Sequence, residues 1–280
     1  MSADLAGRRV LVTGGSMGIG RAVARAIAHA GGAAVVAARG EAAIEETLAS
    51  LPGEGHRGVA LDVAIEASWE SAINDVGRPL HGVVAAAGML EPIGPVGAVA
   101  PEDFLRTVQV NLYGTWLAVH FCLPALRAAT EAAVVTFSGG GGTSPLPRFD
   151  AYAASKAAVV RLTENLAPVL AESGVRINAV APGFVATRMQ DAVLAAGPER
   201  VGADYHERTR RQVEEGGVPP EAAAELVTFL LSGGASGITG KLISAQWDDW
   251  RDPHFRRRLA DDPDLATLRR IDGERLASAL

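Results

Sequence analysis

The sequence predicts an α/β fold, a parallel sheet of about seven strands wound with helices on both faces. Three observations predict it. Short apolar runs rich in Val, Ile and Ala recur along the chain, and a strand buried on both faces reads as such a run rather than as an alternation. Longer Ala-, Leu- and Glu-containing segments at helical spacing lie between them, the rhythm of repeated βαβ units. A hydrophobic content of 48% over 280 residues supplies a sizeable core.

The strands are expected near Val10–Val12, Ala34–Ala37, Gly58–Leu61, Gly82–Ala85, Ala133–Phe137, Val175–Ala179 and Leu242–Ser244. Helices begin near Ile19, Glu41, Glu66, Pro101, Asp150 and Pro219, where Ser, Asp, Glu or Pro supplies a start signal. No repeat and no Pro-, Gly- or Ser-rich linker divides the chain, which predicts one domain over 1–245 and an extension over 246–280. Two stretches leave the alternation. Arg188–Gly217 is long and polar, either a substrate-covering lid or a disordered surface loop, and Gln246–Leu280 is a charged tail.

Net charge is −6, from 26 basic and 32 acidic residues mixed along the chain, so no basic face points to nucleic acid or an anionic membrane. A small-molecule partner is the expectation. Cys122 stands alone, which excludes an intrachain disulfide and fits a reducing compartment. Met1–Arg9 lacks the features of a secretory signal, and no stretch approaches 18 uninterrupted apolar residues, so a cytoplasmic location is expected.

The first strand runs into Gly14-Gly-Ser16-Met17-Gly18-Ile19-Gly20 and then into helical Arg21–His29. A pyrophosphate needs backbone N–H groups at a helix N-terminus, with no Cβ at the contact positions. Strand, glycine turn and helix therefore point to a dinucleotide. The second strand ends at Ala38-Arg39. An acidic residue there would bind the ribose hydroxyls of NAD, whereas an arginine suits the 2′-phosphate of NADP. NADP is thus favoured over NAD, the plainer alternative being a solvated arginine. Asp62 after the third strand either accepts from the adenine amino group or caps the next helix.

In Asp150-Ala-Tyr152-Ala-Ala-Ser-Lys156 a tyrosine and a lysine stand four apart on one helix face. Reducing a ketone requires a proton donor at its oxygen as hydride arrives, and a free tyrosine near pKa ~10 is a poor base for the reverse step. A nearby ammonium favours the phenolate. Only two lysines occur among 26 basic residues, so a lysine here, with its compact head, is informative. Ser138 ends the fifth strand and places a hydroxyl at the carboxyl edge of the sheet.

Together these residues resemble the short-chain dehydrogenase/reductase family over roughly Gly7 to Ser244. The match includes Thr13-Gly14-x-x-x-Gly18-Ile19-Gly20, Asp62-Val63, Ala87-Gly88, Asn111, Ser138, Tyr152-x-x-x-Lys156, and Pro182-Gly183 followed by Thr187. The resemblance implies a three-layer Rossmann-type doubly wound fold with a seven-stranded parallel sheet, NAD(P)(H), and a homodimer or homotetramer. It also implies the residue roles. Tyr152 is the general acid/base, and Lys156 binds the nicotinamide ribose and lowers the tyrosine pKa. Asn111 holds a water linked to Lys156, and Ser138 orients the substrate oxygen. Gly14, Ser16, Met17, Gly18, Ile19 and Gly20 line the phosphates, Arg39 the 2′-phosphate, and Asp62 and Val63 the adenine. Ala87, Gly88, Pro182, Gly183, Val185 and Thr187 complete the cofactor side.

Three features depart from the family pattern. Ala85-Ala86-Ala87-Gly88 replaces the usual Asn-Asn-Ala-Gly, which removes side-chain hydrogen bonds at the strand end. Gly139 occupies the place thirteen residues before the tyrosine where a serine is usual, leaving Ser138, or else Ser144, as the partner hydroxyl. The chain also continues past Ser244 through Trp247 and Trp250, a tail that either closes over the substrate or packs on a neighbouring subunit.

Overall fold

Seven strands pair in parallel in the order β3-β2-β1-β4-β5-β6-β7. They are β1 (Arg9–Thr13), β2 (Ala33–Ala38), β3 (Arg57–Ala60), β4 (Gly82–Ala85), β5 (Ala133–Phe137), β6 (Arg176–Ala181) and β7 (Leu242–Ser244). The computed structural model describes residues 3–185 and 187–270. Among these are ten helices: α1 (Gly18–His29), α2 (Glu41–Ala49), α3 (Glu66–Val76), α4 (Pro101–Val108), α5 (Gly114–Leu126), α6 (Asp150–Ala171), α7 (Arg188–Val201), α8 (Ala203–Glu214), α9 (Pro220–Leu231) and α10 (Pro253–Asp261).

Strand periodicity divides the interior into two cores. Successive side chains face opposite sides of a sheet, so Val10, Val12, Val36, Val84, Ala133 and Val135 pack with α1 and α9. Their neighbours Leu11, Val35, Val83 and Val134 pack with α3, α5 and the end of α6. The result is three layers, helix, sheet and helix, as the sequence predicts. Both faces are covered, which is why the strands read as unbroken apolar runs. Each fully buried Val or Leu contributes about 1.5–3 kcal/mol relative to exposure.

Winding reverses between β1 and β4, with Val12 opposite Val36 on one side and Val84 on the other. A crevice opens outside the carboxyl ends of the strands at such a reversal, and here it separates the loops after β1 and β4.

Four of the ten helices have no start marked in the sequence reading: α5, α7, α8 and α10. The first continues α4 through a π-type segment, Gln109–Tyr113, with no break that a start signal would mark. Arg188–Gly217 is a helical excursion through α7 and α8 rather than a disordered loop. Thr187 caps α7 by accepting from the Met189 N–H at 3.4 Å, and Gly197 (φ +77°) and Gly202 (φ +91°) turn the chain. The excursion begins and ends at one place, since Val218 N–H donates to the Phe184 carbonyl at 2.7 Å and Val185 bridges Val218.

Residues 246–270 fold back on their own chain. Trp250 is buried and stacks on Phe229 of α9 with ring centroids 5.6 Å apart, and Leu259 of α10 enters the α1-side core. The buried Lys241 Nζ donates to the carbonyls of Asp262 at 2.5 Å and Leu265 at 3.0 Å, and Leu242 N–H donates to the Ala266 carbonyl at 2.7 Å. The tail thereby occupies hydrogen-bonding positions that an edge strand otherwise leaves open. Residues 271–280 of the expected extension lie outside the described residues.

Candidate active site

At the reversal the loops after β1 and β4 touch. Gly14 has φ +64°, and a Cβ there would lie 2.8 Å from both Cα and N of Ala87, while a Cβ on Gly20 would meet the Gly14 carbonyl at 2.2 Å. Only glycine permits this packing of turn against helix and neighbouring loop. The Thr13 hydroxyl accepts from the Ala87 N–H at 3.3 Å, and Gly15 N–H donates to the Ala37 carbonyl at 3.2 Å. The Ala85-Ala86-Ala87 strand end is thus tied to β1 despite lacking asparagine side chains. The amide ends of α1 face this glycine cradle and fit a pyrophosphate.

Around the cradle, Ser16 is buried and its carbonyl accepts from Arg21 Nε at 2.8 Å, while Met17 is exposed. A Cβ on Gly18 would come within 3.6 Å of the Thr187 Cγ2, so the loop after β6 reaches the phosphate turn. Ile19 packs on the α1-side core. Arg39 is exposed at the end of β2 and makes no hydrogen bond or ion pair among the described residues. Asp62 Oδ1 accepts from the Ala64 N–H at 3.0 Å within the turn after β3 and does not cap α3, whose N-cap is Ile65, and Val63 is buried beneath Gly114. Pro182 and Val185 are buried, and a Cβ on Gly183 would meet Gln246 Oε1 at 2.7 Å.

On the substrate side, helical spacing directs Tyr152 and Lys156 of α6 to the carboxyl edge of the sheet. Lys156 is buried, its Nζ donates to the Phe137 carbonyl at 3.0 Å and lies 5.7 Å from the Tyr152 ring centre. Burial pulls its ammonium down to about 8. The Tyr152 hydroxyl is pushed well above the ordinary phenol value, first by burial and then by Tyr205. Desolvation thus favours the neutral phenol of Tyr152 in the cofactor-free site.

Asn111 sits in the π-type segment, which shifts its side chain out of regular helical register. Its Oδ1 accepts from the Met89 N–H at 2.8 Å, and its Nδ2 donates to the Met89 carbonyl and to Ser155 Oγ, both at 2.9 Å. Ser155 Oγ in turn donates to the Tyr152 carbonyl at 2.7 Å. Asn111 therefore clamps the loop after β4 to the start of α6. A Cβ on Gly88 would lie 3.3 Å from Asn111 Oδ1 and 3.6 Å from Lys156 Nζ, which brings the three residues together.

The two serine candidates sit differently. Ser138 is buried, and its Oγ lies 2.2 Å from where a Cβ of Gly142 would be. The Tyr152 hydroxyl stands instead over Gly139, 2.2 Å from the position of its missing Cβ. No hydrogen bond joins the Ser138 and Tyr152 hydroxyls, and Ser144 is exposed farther along the loop.

The helical excursion supplies residues that sequence reasoning missed. Leu90, Ile93, Phe149, Val193 and Val201 form a third apolar cluster, against which Tyr152, Met189 and Tyr205 pack. Arg148 anchors it, donating to the carbonyls of Glu199 and Arg200, while Arg200 Nε donates to the Ile93 carbonyl at 3.0 Å. The available signal was the capping Thr187 and the glycines at 197 and 202, obscured by the polar surface of the two helices. A groove of about 660 Å³ begins at Met89 and runs between α4 and α7, lined by Ile93, Ala196, Asp103, Arg106 and Arg200. No helix among the described residues is long and apolar enough to cross a membrane.

Residues 14–246 match the protein family described as enoyl-(acyl carrier protein) reductase. The chain is 35% identical over 248 residues to galactitol 2-dehydrogenase of Rhizobium johnstonii, covering 86% of this chain and 94% of that one. It is 32% identical over 241 residues to dehydrogenase/reductase SDR family member 4 of Bos taurus, covering 83% and 84%. A crystal structure titled ribose-5-phosphate isomerase, from Brucella melitensis 16M, superposes with a TM-score of 0.77 at 29% identity, covering 87% of this chain and 93% of that one. The chain belongs to the short-chain dehydrogenase/reductase family, a family of NAD(P)-dependent oxidoreductases.

Proposed function

We propose that this protein interconverts a ketone and a secondary alcohol with NADP(H), with Tyr152 as the acid/base. The observation that carries the reading is the half-buried Tyr152 beside Lys156 at the sheet edge, on the same crevice as the glycine cradle. When bound, the nicotinamide supplies or accepts the hydride. In the reducing direction Tyr152 gives its proton to the carbonyl oxygen; in the oxidising direction it takes the alcohol proton. Lys156 binds the nicotinamide ribose, and its charge steadies the phenolate formed on reduction. Asn111 fixes the helix start that carries both residues. Ser138 shapes the turn beneath the Tyr152 hydroxyl.

The glycine turn from Gly14 to Gly20 holds the pyrophosphate, Asp62 and Val63 flank the adenine, and Val185 and Thr187 meet the nicotinamide amide. The unpaired Arg39 favours NADP over NAD. Galactitol 2-dehydrogenase as a relative, together with the mixed charges of the groove at Met89, supports a hydroxylated small molecule as substrate. Solvent-exposed Trp116 on α5 and Val169 on α6 support assembly as a homodimer or homotetramer.

The test mixes purified protein with NADP+ or NAD+ and galactitol, ribitol or cyclohexanol, and with NADPH or NADH and the corresponding ketones, following the absorbance of reduced nicotinamide. Turnover is expected, with Tyr152→Phe retaining cofactor binding and losing most of it. Unchanged turnover in that variant would remove Tyr152 from the acid/base role.

A further inference from the structure

Hydride transfer to a carbonyl gains from a second hydrogen-bond donor aimed at the oxygen where charge develops. Here no side chain stands at residue 139, and the adjoining Ser138 Oγ lies against Gly142 instead. A different tyrosine packs against the same apolar cluster as Tyr152. Tyr205 of α8 is half-buried in the same apolar cluster as Tyr152, its ring 4.9 Å from that of Phe149, which immediately precedes α6. Neither the Tyr152 nor the Tyr205 hydroxyl donates to any protein group among the described residues.

We propose that Tyr205, carried in by the helical excursion, donates the second hydrogen bond to the substrate oxygen, beside Tyr152. This rests on the oxidoreductase reading above and adds to it a residue that selects and orients the substrate. In reduction the Tyr152 proton moves to the carbonyl oxygen as hydride reaches the carbon. Tyr205 keeps its own proton throughout, and only its hydrogen bond strengthens as the oxygen gains charge.

Two further observations agree. Burial holds Tyr205 above the ordinary phenol value, which keeps it a donor at neutral pH. The Arg208 guanidinium carbon lies over the Tyr205 ring, 5.1 Å from its centre, and braces it. The segment is also tethered independently of any ligand, by Arg148 to Glu199 and Arg200 and by His206 to the Leu194 carbonyl at 3.2 Å. Tyr205 is thus held in place before substrate arrives, as a preorganised donor must be.

The test compares wild type with Tyr205→Phe on whichever alcohol or ketone of the panel above turns over. Phenylalanine keeps the ring on Phe149, and Tyr205→Met fills the same apolar space should the first variant melt early. Cofactor affinity, read by quenching of tryptophan fluorescence, and the thermal midpoint are expected to stay near wild type. Steady-state kcat/KM is expected to fall roughly 10- to 100-fold, with a larger isotope effect from deuterated cofactor because hydride transfer becomes more rate-limiting. A kcat/KM within twofold of wild type, or a loss with an unchanged isotope effect, overturns the Tyr205 assignment and leaves the oxidoreductase reading intact. Wild-type protein that turns over none of the panel overturns that reading, and this assignment with it.

Discussion

The Tyr152 hydroxyl rests over Gly139, 2.2 Å from the place a Cβ would occupy, so glycine at 139 and the observed tyrosine position are mutually dependent. A side chain at 139 must move the ring, because the three atoms nearest its Cβ all belong to the stiff Tyr152 side chain. Gly139→Ser is therefore expected to displace Tyr152 and lower kcat by about tenfold or more, since a 1 Å misplacement alone costs on that order or beyond. Stability should fall by about 1–3 kcal/mol from overpacking. Steady-state kinetics with a denaturant melt checks both. A variant with wild-type kcat would show that the tyrosine tolerates a neighbour there.

Much of this architecture was legible in the residues, for identifiable reasons. Val10, Val12 and Leu11 form a continuous apolar run because the strand is covered on both sides, and the glycines at 14, 18 and 20 advertise a backbone that must approach closely. Tyr152 and Lys156 are separated by one helical turn, so their convergence is local. The placement of Ser138 was not legible, since the side on which its hydroxyl falls depends on how residues 139–142 turn. Tyr205 was hidden for another reason: its neighbour Phe149 is 56 positions away in the chain, and no local period encodes that contact.

Arg39 stands unpaired beside the phosphate turn. Charge-assisted hydrogen bonds contribute about 1.5–3 kcal/mol, so Arg39→Ala is expected to weaken NADPH binding by roughly 10- to 100-fold while changing NADH binding little. Titrating both cofactors against wild type and variant by fluorescence decides it. Equal losses for the two cofactors would assign Arg39 to general charge attraction, and no loss would reduce it to a solvated surface residue.

Lys156 should leave a pH signature on stability. Its ammonium falls from an ordinary 10.5 to about 8 through burial, so between those values the unfolded chain binds more protons than the folded one. Stability from this group therefore rises with pH across that window, and its penalty is largest below it. Lys156→Met removes the titration. The stability of the variant relative to wild type is expected to be greatest near neutrality and to narrow by about 2 kcal/mol by pH ~9.5. Urea melts of the cofactor-free proteins at several pH values measure this; a constant difference would mean that the amine keeps its ordinary value of 10.5 in the folded protein and stays charged throughout.

Trp250 separates packing from polarity in the tail. Its ring is buried and stacked on Phe229, with the Arg251 guanidinium carbon 4.1 Å from the ring centre, yet its indole N–H is buried without a partner among the described residues. Removing the ring forfeits buried area and opens a cavity, so Trp250→Ala is expected to cost about 3–5 kcal/mol. Trp250→Phe keeps an aromatic on Phe229 and discards an unsatisfied donor whose burial costs about 1–3 kcal/mol, offsetting the lost volume. The phenylalanine variant is therefore expected to lie within about 1.5 kcal/mol of wild type. A large loss in both variants would show that the indole N–H contributes to stability, whereas small losses in both would mean that the tail can leave the α9 surface without unfolding the domain.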